Sequence, residues 1–210
     1  MPKIIDPQNE DRNVLAYDTE TTDMPLWKEP SDLPGQPHIV QLAATLRHPS
    51  TGFEISSMNV IIKPDGWKWD DTNEAFGVHG ITYELAMDVG IPESLAVEML
   101  TEMSRGTTRV AYGRTFDQRI IRIGLKRYFG VEDYEAWGEK DDHPCAMLLA
   151  AKIMKSKSDG EHDGKHKKLG IAYNWFTGKE LVNAHNAKFD ADACADVYLS
   201  ILKMQSEGLL

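Results

Sequence analysis

The run Val14-Leu15-Ala16-Tyr17-Asp18-Thr19-Glu20-Thr21 constrains the fold more than any other stretch of the chain. Apolar residues lead straight into two carboxylates spaced i and i+2. In a strand those positions share a face, so Asp18 and Glu20 project side by side. Two unit charges about 4 Å apart repel by on the order of 4 kcal/mol at an effective dielectric near 20. A fold that keeps them needs a positive partner, and a divalent cation with oxygen ligands meets that need. Asp-x-Glu recurs at Asp133-Tyr134-Glu135 and Asp159-Gly160-Glu161, but polar sequence precedes both copies, and solvated turns are expected there.

The rest of the chain supplies a sheet around that run. Strands are predicted over 13–18, 38–47 and 53–63, with turn chemistry in His48-Pro49-Ser50-Thr51-Gly52 joining the last two. These make a three-strand antiparallel meander. Between the first two strands lies a loop over 23–37, with Pro25, Pro30, Pro34 and Pro37, that excludes regular structure. Residues 64–82 read as irregular. Helices are predicted near 82–88 and over 92–105, where Leu95, Met99 and Met103 recur every four residues. A fourth strand over 108–113 follows this helical crossover and is placed to pair parallel with the first. Then come a helix over 115–129, an acidic loop over 132–142, a helix over 144–155, a short helix near 167–176 and a final helix over 187–204. The expectation is an α/β domain with a mixed sheet flanked by helices.

Composition narrows the function classes. A chain of 210 residues suits one domain. Its net charge of −10 argues against coating nucleic acid by bulk electrostatics, though not against meeting phosphates through metal ions and a local basic patch. Such a patch exists: Arg105, Arg109, Arg114, Arg119, Arg122, Lys126 and Arg127 share one window. Arg119, Arg122 and Lys126 fall on one helix face, either to track phosphates or simply to be solvated. No signal-peptide layout or membrane-length apolar run is present. Cys145 and Cys194 fit neither a disulfide framework nor a zinc ribbon, and reduced thiols in a cytoplasmic protein are expected. His162 and His166 have i, i+4 spacing in what reads as a loop, a weak metal signal.

Further candidates stand at element ends. Phe116-Asp117 opens a helix after the fourth strand; Asp190 lies in the first turn of the last helix, with His185 just before it. Each has an ordinary explanation as a helix-terminus residue. Together they give four carboxylates and an imidazole in the order Asp18, Glu20, Asp117, His185, Asp190.

At these positions the sequence resembles the DEDD (DnaQ-like) superfamily of 3′→5′ exonucleases, DEDDh branch. Asp18-Thr19-Glu20-Thr21 is similar to its first motif and Phe116-Asp117 to its second. The third, His-x-Ala-x-x-Asp-Ala, is met by His185-Asn186-Ala187-Lys188-Phe189-Asp190-Ala191. The resemblance covers about 12–205. It departs where Tyr112-Gly113 stands in place of the usual His-Asn, and in the long insertion 23–37.

The resemblance implies an RNase H-like fold and a metal-dependent 3′→5′ exonuclease that releases nucleoside 5′-monophosphates. Asp18, Glu20, Asp117 and Asp190 would hold two Mg²⁺ or Mn²⁺ ions, with His185 as general base. Thr19, Thr21, Phe116 and Arg119 are the substrate-contact candidates. An apolar residue soon after the first motif, here Met24, Leu26 or Trp27, is expected to wedge the terminal base. Single-stranded DNA is the favoured substrate. RNA or short oligoribonucleotides are the alternative, as is a non-catalytic nucleic-acid-binding module on the same fold. Nothing in the sequence names a protein partner.

Overall fold

The computed structural model describes residues 11–69, 71–72, 74–138, 143–157 and 165–210. The elements run β1 (Val14–Thr21), β2 (Ile39–Arg47), β3 (Glu54–Lys63), α1 (Glu74–His79), α2 (Tyr83–Val89), β4 (Ile91–Pro92), α3 (Glu93–Ser104), β5 (Thr108–Val110), α4 (Thr115–Tyr128), α5 (Val131–Gly138), α6 (Ala146–Lys157), α7 (Leu169–Thr177) and α8 (Ala187–Ser206). The strands form one sheet in the order β4-β3-β2-β1-β5. β1, β2 and β3 are the expected antiparallel meander, and β5 pairs parallel with β1 through Val14–Thr108, Leu15–Arg109 and Ala16–Val110.

Alternation along β1 divides the core. Leu15 and Tyr17 join the cluster that α3 and α4 cover, with Val97, Leu100, Ile120 and Ile121. Val14 and Ala16 join the cluster on the opposite face, with Ile153, Cys194, Val197 and Tyr198 of α6 and α8. All of these side chains are essentially inaccessible. Small residues let α8 lie close to the sheet: Ala187 and Ala191 meet Ala43 of β2.

Several boundaries differ from the sequence reading. β1 continues through Asp18 and Glu20 to Thr21, so the carboxylates lie within the paired strand. The expected irregular segment 64–82 contains α1. Pro92, read as the opening of a helix, instead pairs parallel with Lys63, as Ile91 does with Ile62, and α3 starts at Glu93. β5 is shorter than 108–113; the chain then makes an isolated parallel bridge from Ala111 to Cys145.

The acidic segment expected as a loop over 132–142 contains α5, so Asp133-Tyr134-Glu135 is helical rather than a turn. Its apolar Tyr134 and Trp137, at spacing three, are obscured in sequence by the surrounding acids. Trp137 is buried against Tyr17 at 5.5 Å between ring centroids. The copy at 159–161 and His162 lie outside the described residues. Cys145 and Cys194 are free, buried thiols. No helix among the described residues is long and apolar enough to cross a membrane.

Candidate active site

The same alternation that divides the core aims the carboxylates. Asp18 and Glu20 follow Val14 and Ala16 on the α8 face of β1, and α8 brings Asp190 to them. One oxygen from each of the three lies within 4.8 Å of the others. Thr19, on the opposite face, meets α4. Its backbone N–H and hydroxyl both donate to Oδ1 of Asp117, at 3.1 and 2.9 Å. Asp117 is buried at the start of α4.

Backbone contacts set α8. Gln41 of β2 sits opposite Glu20, and its Oε1 accepts from Ala187 N–H at 3.1 Å. The Asn186 side chain caps the helix by accepting from Lys188 N–H at 3.2 Å. Before it, Asn183 and His185 have φ of 55° and 67°, a left-handed conformation costing about 1–2 kcal/mol for a non-glycine residue. That turn aims His185 N–H at Oδ2 of Asp190, 3.0 Å away. The other oxygen, Oδ1, is buried without a hydrogen-bond partner.

Electrostatics follow from this crowding. Burial, then the charges of Asp117, Glu20 and Asp190, hold the Asp18 carboxyl well above the usual range. Burial and the charges of Asp190 and Asp117 push Glu20 up to about 8. Asp117 rises to about 7, mainly by burial and against the pull of its two Thr19 bonds. Burial raises Asp190 as well, opposed by the His185 N–H and imidazole. Hard divalent cations bind oxygen at roughly 2.0–2.6 Å, so one ion can bridge oxygens up to about 4.8 Å apart. The spacing, the all-oxygen donor set and the orphaned Asp190 Oδ1 fit such an ion, with Asp117 close enough to add its charge.

A recess of about 270 Å³ opens beside the cluster. Thr19, Glu20, Thr21, Met24, Val78 and Phe116 are among the residues that line it. The substrate-contact candidates Thr19, Thr21 and Phe116 are thus on its wall, and the Thr21 hydroxyl is also bonded to the Asp23 carbonyl at 2.8 Å. Arg119 does not line the recess; it donates to the Glu29 carbonyl of the Pro-rich loop. Arg122 stacks over Tyr134 at 4.1 Å, and Lys126 lies 4.4 Å from that ring and 3.8 Å from Asp32. Side chains on this basic face of α4 thus contact the Pro-rich loop and α5.

Other supports gave no sequence signal. Tyr17 hydrogen-bonds fully buried His143 at 2.8 Å on the face of β1 opposite Asp18. Tyr112, at the departure from the second motif, donates to the Lys167 carbonyl at 2.7 Å and ties the end of the β5 segment to the approach to α7.

The fold has counterparts among solved structures. E. coli exonuclease I in complex with a dT13 oligonucleotide superimposes with a TM-score of 0.71 and 20% identity, over 93% of this chain and 42% of that one. The RNase H-like exonuclease I fold is the fold of this chain. The zinc-bound form of the E. coli exonuclease I–ssDNA complex gives a TM-score of 0.67 at 20% identity, over 94% and 41% of the two chains. Exonuclease I from Methylocaldum szegediense gives 0.68 at 20%, over 93% and 41%. The chain therefore spans about two fifths of the length of these structures. No protein-family model matches it, and no curated protein matches it significantly.

Proposed function

We propose that the chain is a divalent-metal-dependent 3′→5′ exonuclease of the DEDDh type that acts on single-stranded DNA. The observation that carries this is the convergence of Asp18, Glu20 and Asp190 from opposite ends of the chain, with Asp117 fixed beside them. The fold supports it, as do the oligonucleotides bound to its exonuclease I counterparts. Residues 1–210 are one exonuclease domain in this proposal, with the resemblance covering about 12–205, and the buried free thiols suit a cytoplasmic protein.

Asp18, Glu20, Asp117 and Asp190 would hold two Mg²⁺ or Mn²⁺ ions. Such ions, when bound, stabilise charge on the attacking and leaving oxygens of the scissile phosphodiester. The chain's own residues do the rest. Thr19 fixes the Asp117 carboxylate, and the His185 backbone fixes Asp190. The exposed His185 imidazole takes the proton of the attacking water, a general-base role that imidazole commonly fills. The recess receives the terminal nucleoside between Met24 and Phe116. At about 270 Å³ it falls below the roughly 300–1,000 Å³ of whole-ligand pockets, so it takes one base rather than a longer segment.

The test is digestion of 5′- and 3′-labelled single-stranded DNA, duplex DNA and RNA with Mg²⁺, Mn²⁺ or EDTA. Stepwise shortening of 5′-labelled single-stranded DNA with release of 5′-mononucleotides, abolished by EDTA, is expected. Cleavage from the 5′ end, or activity undiminished in EDTA, would overturn the proposal.

A further inference from the structure

We propose that the Pro-rich loop 23–37 is a rigid platform on which the single strand stacks upstream of the terminal nucleotide, with Trp27 as its base-contacting face. This rests on the exonuclease reading and adds a second contact zone to the same site.

The loop lacks regular structure yet is heavily anchored. Buried Gln36 organises its interior: its Oε1 accepts from Leu26 N–H at 3.0 Å, and its amide donates to the carbonyls of Leu26 at 3.2 Å and Pro30 at 2.9 Å. From outside, α4 grips it. Arg119 reaches Glu29, Lys126 reaches Asp32, and Arg127 donates to the carbonyls of Gln36 and Pro37 at 3.0 and 3.1 Å. The helix that presents Asp117 therefore also mounts the loop.

What the anchoring holds in place is apolar and exposed. Met24 is 58% exposed, Leu26 42% and Trp27 48%. Met24 borders the recess. Three residues of chain reach at most about 11 Å, so Trp27 lies within that distance of Met24. At about 3.4 Å per stacked nucleotide, this is a separation of at most about three nucleotides, and Trp27 is not among the residues lining the recess. An aromatic face there meets bases that have not yet entered the recess.

Charge points to the same mode. The chain carries −10 overall, and the α4 cations are engaged with the loop and α5. Stacking on an aromatic face grips any base without bulk positive charge, and only an unpaired strand offers its base faces. Exposed Lys28, next to Trp27, offers a cation for the intervening phosphate.

The experiment measures binding of 5′-fluorescein octathymidylate and dithymidylate by anisotropy in EDTA, and their digestion in Mn²⁺, for wild type, Trp27→Ala and Trp27→Phe. Trp27→Ala is expected to bind the octamer about tenfold more weakly, while the dimer, too short to reach the platform, binds as it does to wild type. Trp27→Phe should recover most of the loss, and the salt dependence of octamer binding should not change. Equal affinity of Trp27→Ala and wild type for the octamer overturns the platform. So does an equal loss on octamer and dimer, or loss of a self-associated species in sedimentation without a length effect. Wild-type protein that binds the octamer in EDTA but leaves it uncut in Mn²⁺ overturns the exonuclease reading and not the platform; wild type that neither binds nor cuts overturns both.

Discussion

Thr19 donates two hydrogen bonds, from its backbone N–H and its hydroxyl, to the same oxygen of Asp117 across 98 residues of sequence. The bonds join β1 to α4 and hold a carboxylate that its surroundings would otherwise drive towards protonation. Thr19→Val keeps the β-branched shape and removes the hydroxyl. It is expected to lower stability by about 1–3 kcal/mol, because a charge-assisted buried bond is lost. It should also weaken Mn²⁺ binding. Urea unfolding and titration calorimetry measure the two effects; unchanged values in both would show that the hydroxyl is dispensable.

Asp18→Asn removes one charge from the cluster without changing its shape. Nuclease activity should fall below detection, while the melting temperature in EDTA at pH 8 should rise above that of wild type, since repulsion is relieved. A variant that is inactive and also less stable would make Asp18 a structural residue instead.

The carboxylates give the metal-free protein a pH signature. Glu20 is raised from an ordinary value of 4.5 to about 8 in the fold, so between those pH values the folded state binds more protons than the unfolded one. Stability then falls as pH rises through this window. Thermal melts in EDTA should show that decline, and Mg²⁺ or Mn²⁺ should reverse it, with the larger gain at pH 8 than at pH 6. A metal-induced gain that is flat with pH would contradict the cluster.

His185 has two separable roles. Its N–H orients Asp190, and its imidazole is the proposed base. His185→Gly suits the φ of 67° and keeps the N–H, so the fold should hold while the rate drops by roughly 10²–10⁴. His185→Ala should match it in rate but gain nothing from the left-handed geometry. A pH–rate profile unaltered in either variant would remove His185 from proton transfer.

Glu93 anchors the base of the Pro-rich loop. Buried, it accepts from Ile39 N–H at 2.9 Å, Arg127 at 3.2 Å and the Tyr128 hydroxyl at 2.7 Å, and it pairs with His38 at 2.6 Å. Those partners lower its pKa against the opposing effect of burial, so its stabilisation is present above the unfolded value and is lost as pH falls through the folded one. Glu93→Ala leaves Arg127 without its carboxylate and is expected to cost about 3–5 kcal/mol. Chemical denaturation measures that cost, and faster limited proteolysis within 23–37 would report the loosened loop.

The parts of the site legible in sequence were those with local pattern. The strand alternation placed Asp18 and Glu20 together, and motif order brought in Asp117 and Asp190. The supports were not legible because each joins distant residues of ordinary type: Gln41 to Ala187, Tyr17 to His143, Glu93 to Arg127. The protein contacts of the α4 cations were not legible for the same reason. A helical face of Arg and Lys looks alike whether it meets phosphate, water or the carbonyls of a loop inserted some ninety residues earlier. α5 was hidden by acids that obscured a short apolar stripe.

Asp18 and Asp190 come from opposite ends of the fold and meet only when α8 lies down on β1. During synthesis Asp18 and Glu20 emerge early, and Asp190 follows about 170 residues later. A chain broken off before residue 190 carries the first carboxylates without the helix that brings Asp190 to them. The order in which the polypeptide is made thus delays the carboxylate cluster until α8 exists.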